Sequence, residues 1–191
     1  VVDVERFPDD AAEPMAARGM GAIYEVTSQL APLRRNLSSM ERERLMLTWY
    51  HSHHNRLEAA VSNAVEMYGR CLVIDCHSFP GIALPYENAD SVVERPDICI
   101  GSDPYHTSLK LEQAFVEAFS CDGWRVAVND PFAGALVPAS RYRVDSRVAA
   151  VMVEINRDLY LDSKNFEPNS DFDRVAAAIK NYSINALGQC S

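Results

Sequence analysis

Three apolar runs of this 191-residue chain end in groups able to do chemistry: Asp75-Cys76-His77-Ser78, Asn129-Asp130 and Glu154-Ile155-Asn156-Arg157. A histidine leaving a buried strand, with a carboxylate two residues earlier on the same side, is the arrangement that holds an imidazole in one tautomer. Its other ring nitrogen is then presented to a metal. His77 with Asp75 has that spacing. Glu154, at the end of another strand, suits a general base. Each has a plainer alternative: His77 as a satisfied polar residue at a strand end, and Glu154 as half of a salt bridge capping the sheet.

A second cluster, Tyr50-His51-Ser52-His53-His54, falls within a helical pattern. His51 and His54 are one turn apart, a spacing open to metal binding. His53 and His54 flank the apolar stripe, which equally suits partly buried histidines bonded to polar neighbours. His106 lies in a loop where it could touch a substrate or tie the loop to a helix. Arg6, Arg141, Arg143 and Arg157 supply cations near these strand ends. The formal net charge is -9, so an anionic substrate is repelled at long range and needs a local two-point guanidinium grip. Arg6 is the best placed, its alternative being an ordinary ion pair with Asp9 or Asp10. The chain has no G-x-S-x-G elbow, P-loop or G-x-G-x-x-G turn.

The elements that must position these groups follow from periodicity. Residues 1–4 read as the tail of a strand. Residues 38–68 form one long amphipathic helix, opened by the capping-box pair Ser38 and Glu41 and closed by Gly69. Its stripe is Leu45, Trp49, Leu57, Val61, Ala64 and Tyr68. Residues 71–76, 124–129 and 147–154 read as strands. Helices follow Thr107 or Ser108, with Leu111, Ala114, Phe115, Ala118 and Phe119 on one face, and Ser170 or Asp171, with Phe172, Val175, Ala176, Ile179 and Tyr182. The proline-rich stretch 80–106 and residues 131–143 read as loops. Alternating strands and helices predict a single α/β domain over 1–191, a three-layer α/β/α arrangement around a mixed, largely parallel sheet, with ligands at the carboxyl ends of the strands.

Composition narrows the function. Hydrophobic residues at 48% and charged residues at 24% are globular proportions. With no basic block, nucleic acid is excluded as a partner, and no apolar run approaches the roughly 20 residues of a membrane span. Five scattered cysteines, Cys71, Cys76, Cys99, Cys121 and Cys190, point to reduced, mostly packing thiols and a cytoplasmic setting. The chain begins Val1-Val2-Asp3-Val4 without an initiator methionine, and residues before Val1 are expected.

Taken together, residues 2–10, 21–24, 50–57, 75–80, 96–103 with His106-Thr107, 129–134 and 154–160 resemble the N-formylglutamate amidohydrolase family. That family is similar in fold to zinc-dependent exopeptidases and to the aspartoacylase and succinylglutamate desuccinylase group. The resemblance implies a zinc-dependent, phosphorylase/hydrolase-like domain that releases a small acyl group from the nitrogen of an acidic amino acid. N-formyl-L-glutamate, in histidine breakdown, is the expected substrate. It implies His77 as a metal ligand, Glu154 as general base and Arg6 as the group holding a substrate carboxylate. Ser78, His106, Arg143 and Asn156 are expected beside the substrate. The family's remaining metal ligands, a histidine and an acidic residue, would precede Val1, so weak or absent metal is expected of this chain. Ser52 stands where the family pattern has proline. Two competing readings are a non-catalytic carboxylate-binding relative and a metallopeptidase acting on short peptides.

Overall fold

The computed structural model describes residues 1–87, 94–121 and 123–190. The chain forms two compact units, one of Val1–Asn63 with the segment from Ala83, the other of Ala64–Ile82 with the chain from Glu94 onward. Residues 88–93, within the proline-rich stretch read as a loop, lie outside the described residues.

In the first unit the expected initial strand is reduced to a single antiparallel bridge, Val2 with Ile23. α1 (Ser39–Leu45) opens as the sequence predicts: the Ser38 hydroxyl accepts from the Glu41 amide while the Glu41 carboxylate takes the Ser38 amide. The helix then passes through a π-helical segment, Met46–His51, before continuing as α2 (Ser52–Tyr68). This segment alters the apolar stripe. A turn closed by i→i+5 bonds holds an extra residue, so the buried positions become Met46, Tyr50, Val61 and Val65. Trp49 and Tyr68, both expected inside, are 60% and 71% exposed. Met46 and Tyr50 pack with Ala22 and Ile23, flanked by Val2, Leu37 and Leu45.

The second unit is built on a four-stranded sheet: β1 (Cys71–Phe79), β2 (Ile98–Gly101), β3 (Val126–Val128) and β4 (Val148–Asn156), in the order β1-β4-β2-β3. β1 pairs with β4 and β2 with β3 in parallel, whereas β2 meets β4 antiparallel. The sheet is therefore mixed, as expected, with one strand the periodicity missed: β2 has only four residues and lies inside the stretch read as a loop. Side chains alternate across a strand. Ile74 and Leu72 of β1, Ile98 and Ile100 of β2, and Val151 and Val153 of β4 face α3 (Leu109–Ser120) and α4 (Phe172–Cys190). Phe115 and Phe119 of α3 are fully buried there, and Phe119 meets Tyr182 edge-on at 5.5 Å between centroids. Within this unit, then, helices cover one face. The Ser108 hydroxyl caps α3 by accepting from the Leu111 amide. Cys71, Cys76, Cys99 and Cys121 are free thiols, and Cys190 lies outside the described side chains. Among the described residues, no helix is long and apolar enough to cross a membrane.

Candidate functional site

The other face of this sheet carries the candidate site residues His77 and Glu154. The β1–β4 register sets His77 opposite Glu154, and the β4–β2 register sets Cys99 on Glu154's other side. Paired residues on neighbouring strands point to the same face with backbones about 4.8 Å apart. A row His77, Glu154, Cys99 therefore crosses three strands, with the carboxylate in the middle. Asp75, two residues before His77, shares that face, and its Oδ1 lies 2.9 Å from His77 Nε2. The other Asp75 oxygen accepts the Leu136 amide at 3.2 Å. The carboxylate is thus held from two sides and in turn holds the ring.

Glu154 is only 7% exposed, on a strand flanked by partners on both sides. Taking a carboxylate out of water is expensive, so its place at the sheet's centre is itself a functional signal. Cys99 is fully buried, and its thiol donates to the Phe132 carbonyl at 3.2 Å. Burial pushes that thiol up, with the Glu154 charge adding to the effect. Cys99 is one of five cysteines whose scatter predicts mostly packing thiols. The apolar residues on either side of it, Ile98 and Ile100, were the available sign of its place on the opposite face.

Four residues expected beside the substrate sit elsewhere or are already engaged. Ser78 belongs to the alternate set and pairs with Ile155, so it is on the helix-covered face. Its hydroxyl accepts from Arg157 Nε at 3.1 Å. Asn156 is buried, with its amide nitrogen donating to the Pro96 carbonyl and its oxygen accepting the Asp158 amide. It caps the turn after β4. His106 is 2% exposed, with Nδ1 2.7 Å from the Val148 carbonyl while Nε2 accepts the Arg143 amide at 2.8 Å. Those partners place a proton on Nδ1, and neither nitrogen is left for a substrate. Val148 begins β4 and Glu154 lies six residues on, about 20 Å along a strand. His106 and Arg143 therefore stand at the far end of the sheet from His77.

Arg143 instead grips Asp103, with Nη2 to Oδ2 at 3.0 Å. Burial pushes the Asp103 carboxyl up, but the amides of Tyr105 and His106 and the Arg143 guanidinium outweigh it and leave it below the ordinary aspartate range. Asp103 therefore adds stability that is complete above its unfolded value of about 4 and is lost as pH falls through its folded value. Unfolding midpoints followed from pH 5 down to about pH 2 should drop in the wild type. Asp103→Asn should show a shallower fall, and an identical acid profile for the two would contradict this assignment.

Arg6 belongs to the first unit. Its partners are not Asp9 or Asp10, as proximity in sequence suggests, but Asp3 and Glu13, at 3.4 and 3.7 Å. Both contacts are long, and the buried Arg6 Nε makes no hydrogen bond among the described residues. A guanidinium donor left in this condition is available to a better acceptor. The Glu13 carboxylate is committed to the amides of Phe7 and Met15, and Asp3 to the Tyr24 hydroxyl at 2.6 Å. The helix supports this segment from the π-helical turn onward. The Tyr50 hydroxyl donates to the Arg6 carbonyl at 2.8 Å, and His54 Nε2 reaches the Val4 carbonyl at 2.6 Å. Tyr50 and His54 stack at 4.3 Å, and burial lowers the His54 pKa. His54 is thus a structural donor, whereas His51 and His53 are exposed.

The chain matches the family model for N-formylglutamate amidohydrolase over residues 1–161. Among solved structures it is similar to an N-formylglutamate amidohydrolase from Ralstonia eutropha, at 24% identity and a TM-score of 0.80. That match covers 97% of this chain and 71% of the other. A gene product of Agrobacterium tumefaciens is similar at 17% identity and a TM-score of 0.70, covering 99% of this chain and 67% of that one. No curated protein matches. At these identities the two solved structures speak for the fold.

Proposed function

Because the chain belongs to the N-formylglutamate amidohydrolase family and is thereby an amidohydrolase, we propose that it hydrolyses the amide of N-formyl-L-glutamate or a close N-acyl acidic amino acid. The products are formate, or the matching short carboxylate, and the free amino acid. The observation that carries this reading is the register pair of His77 and Glu154, which puts an imidazole and a buried carboxylate side by side on one sheet face. Glu154 accepts the proton of the attacking water and passes it to the departing nitrogen, so that the amine leaves neutral. Arg6 holds the substrate's carboxylate in two-point fashion.

The donor chemistry at His77 fits one position of a zinc site. Asp75 occupies Nε2 and orients the ring, as carboxylates do behind metal-bound histidines. His77 is the residue we assign to the metal. When bound, zinc supplies a polarised amide carbonyl and a more acidic water. A cytoplasmic setting suits the free thiols.

Formate release from N-formyl-L-glutamate, with and without added zinc, tests the activity, and its absence under both conditions would sink it. Arg6 has a separate test. Arg6→Ala should raise KM for N-formyl-L-glutamate about 10- to 100-fold, the worth of a charge-assisted pair, and leave neutral N-formyl amino acids nearly unaffected. An unchanged preference for acidic over neutral substrates would remove Arg6 from the pocket.

A further inference from the structure

We propose that a second site, at the amino ends of β1 and β4, binds the phosphate group of a small phosphate monoester. A cavity of about 590 Å³ lies there, lined by residues of the second unit alone. β1 starts at Cys71 and β4 at Val148, so His77 and Glu154 stand six residues further along, about 20 Å away. The cavity is therefore separate from the carboxylate–imidazole edge.

Its charge is unlike that of the chain as a whole. Acids outnumber cations 27 to 18 in the sequence, yet the lining holds Arg70, Lys110 and Arg147 and no acid. Arg147 shares its charge with Asp145, at 2.9 Å, which also takes Arg141 at 2.6 Å. The Arg70 and Lys110 side chains make no ion pair or hydrogen bond among the described residues. Two uncompensated cations at one cavity, in a molecule of this acidity, mark a local well for an anion.

The donor geometry favours phosphate over carboxylate. Arg147 gives Nε and Nη2 to Asp145, so the Arg70 guanidinium fork and the Lys110 ammonium supply the open donors. Together they offer more N–H groups than the two oxygens of a carboxylate accommodate, whereas a phosphate dianion presents three or four. The hydroxyls of Ser108 and Ser146 add to this set, and the amino end of α3, at Ser108, adds positive potential. The volume exceeds what a bare anion needs and falls in the range of metabolite pockets. Leu72, Leu111 and Ala149 give an apolar floor, and the largely exposed Tyr68 offers a ring against which the ester's body can lie.

Calorimetric titration of the whole chain with adenosine monophosphate and with inorganic phosphate, each at ionic strength matched with chloride, tests the proposal. Saturable one-to-one binding is expected, with the monoester the tighter of the two. The R70A/K110A double variant should bind at least about tenfold more weakly, as two charge-assisted contacts are lost. Both side chains are exposed, so its unfolding midpoint should match the wild type, and Glu154→Gln should bind as the wild type does. Failure to saturate by about 10 mM anion, weaker than any pocket of this charge should be, would overturn the site. Full affinity in the double variant would overturn it equally. Equal affinity for the two anions would overturn the monoester as the occupant.

Discussion

Glu154→Gln is expected to lower kcat for N-formyl-L-glutamate hydrolysis by about 10²–10⁴, the range for losing a general base. KM should change little, because the amide keeps the shape of the carboxylate and removes only its ability to take a proton. The substitution is close to isosteric, and the residue stays flanked by His77 and Cys99 across the ladder, so folding should survive. An unfolding midpoint near the wild-type value alongside a collapsed kcat would separate chemistry from stability. A rate within a few-fold of wild type would show that another group takes the proton.

The largest stability effect is expected at Phe119→Ala. Phe119 is fully buried on α3, between Phe115 at 6.4 Å, Trp124 at 6.3 Å and Tyr182 at 5.5 Å, centroid to centroid. Truncation removes the ring's burial, leaves a cavity and disrupts the aromatic contacts, for a loss of about 3–5 kcal/mol. In a chain of this length that lowers Tm by roughly 6–20 °C, measurable by calorimetry. A fall of less than about 3 °C would mean that α3 and α4 repack to fill the space.

Different parts of the sequence were legible for different physical reasons. β1 and β4 are apolar runs ending in polar residues, so both the strands and the candidate groups at their ends could be read, and the register then brought His77 and Glu154 together. α3 announced itself through its stripe and the Ser108 cap. β2 did not, because four residues show too little alternation to stand out from surrounding prolines. The stripe of the long helix went astray at Trp49, since a π-helical turn breaks the period on which such a reading rests. His106 and Arg143 are close in sequence to motif residues, and only the path of β4 shows that they belong to its beginning. Arg6 lies near Asp9 and Asp10 along the chain, but the turn at Pro14–Arg18 brings Glu13 to it instead.

The place of Glu154 on an interior strand bears on how this protein can diversify. Shifting that carboxylate by even one position would require re-registering β4 against both β1 and β2, which would turn every core side chain of the strand outward. Mutational drift toward new acyl groups must therefore act through the connecting segments, such as residues 129–138, whose backbone borders Asp75 and Cys99. A library confined to those residues should yield altered selectivity while Glu154 keeps its place between His77 and Cys99.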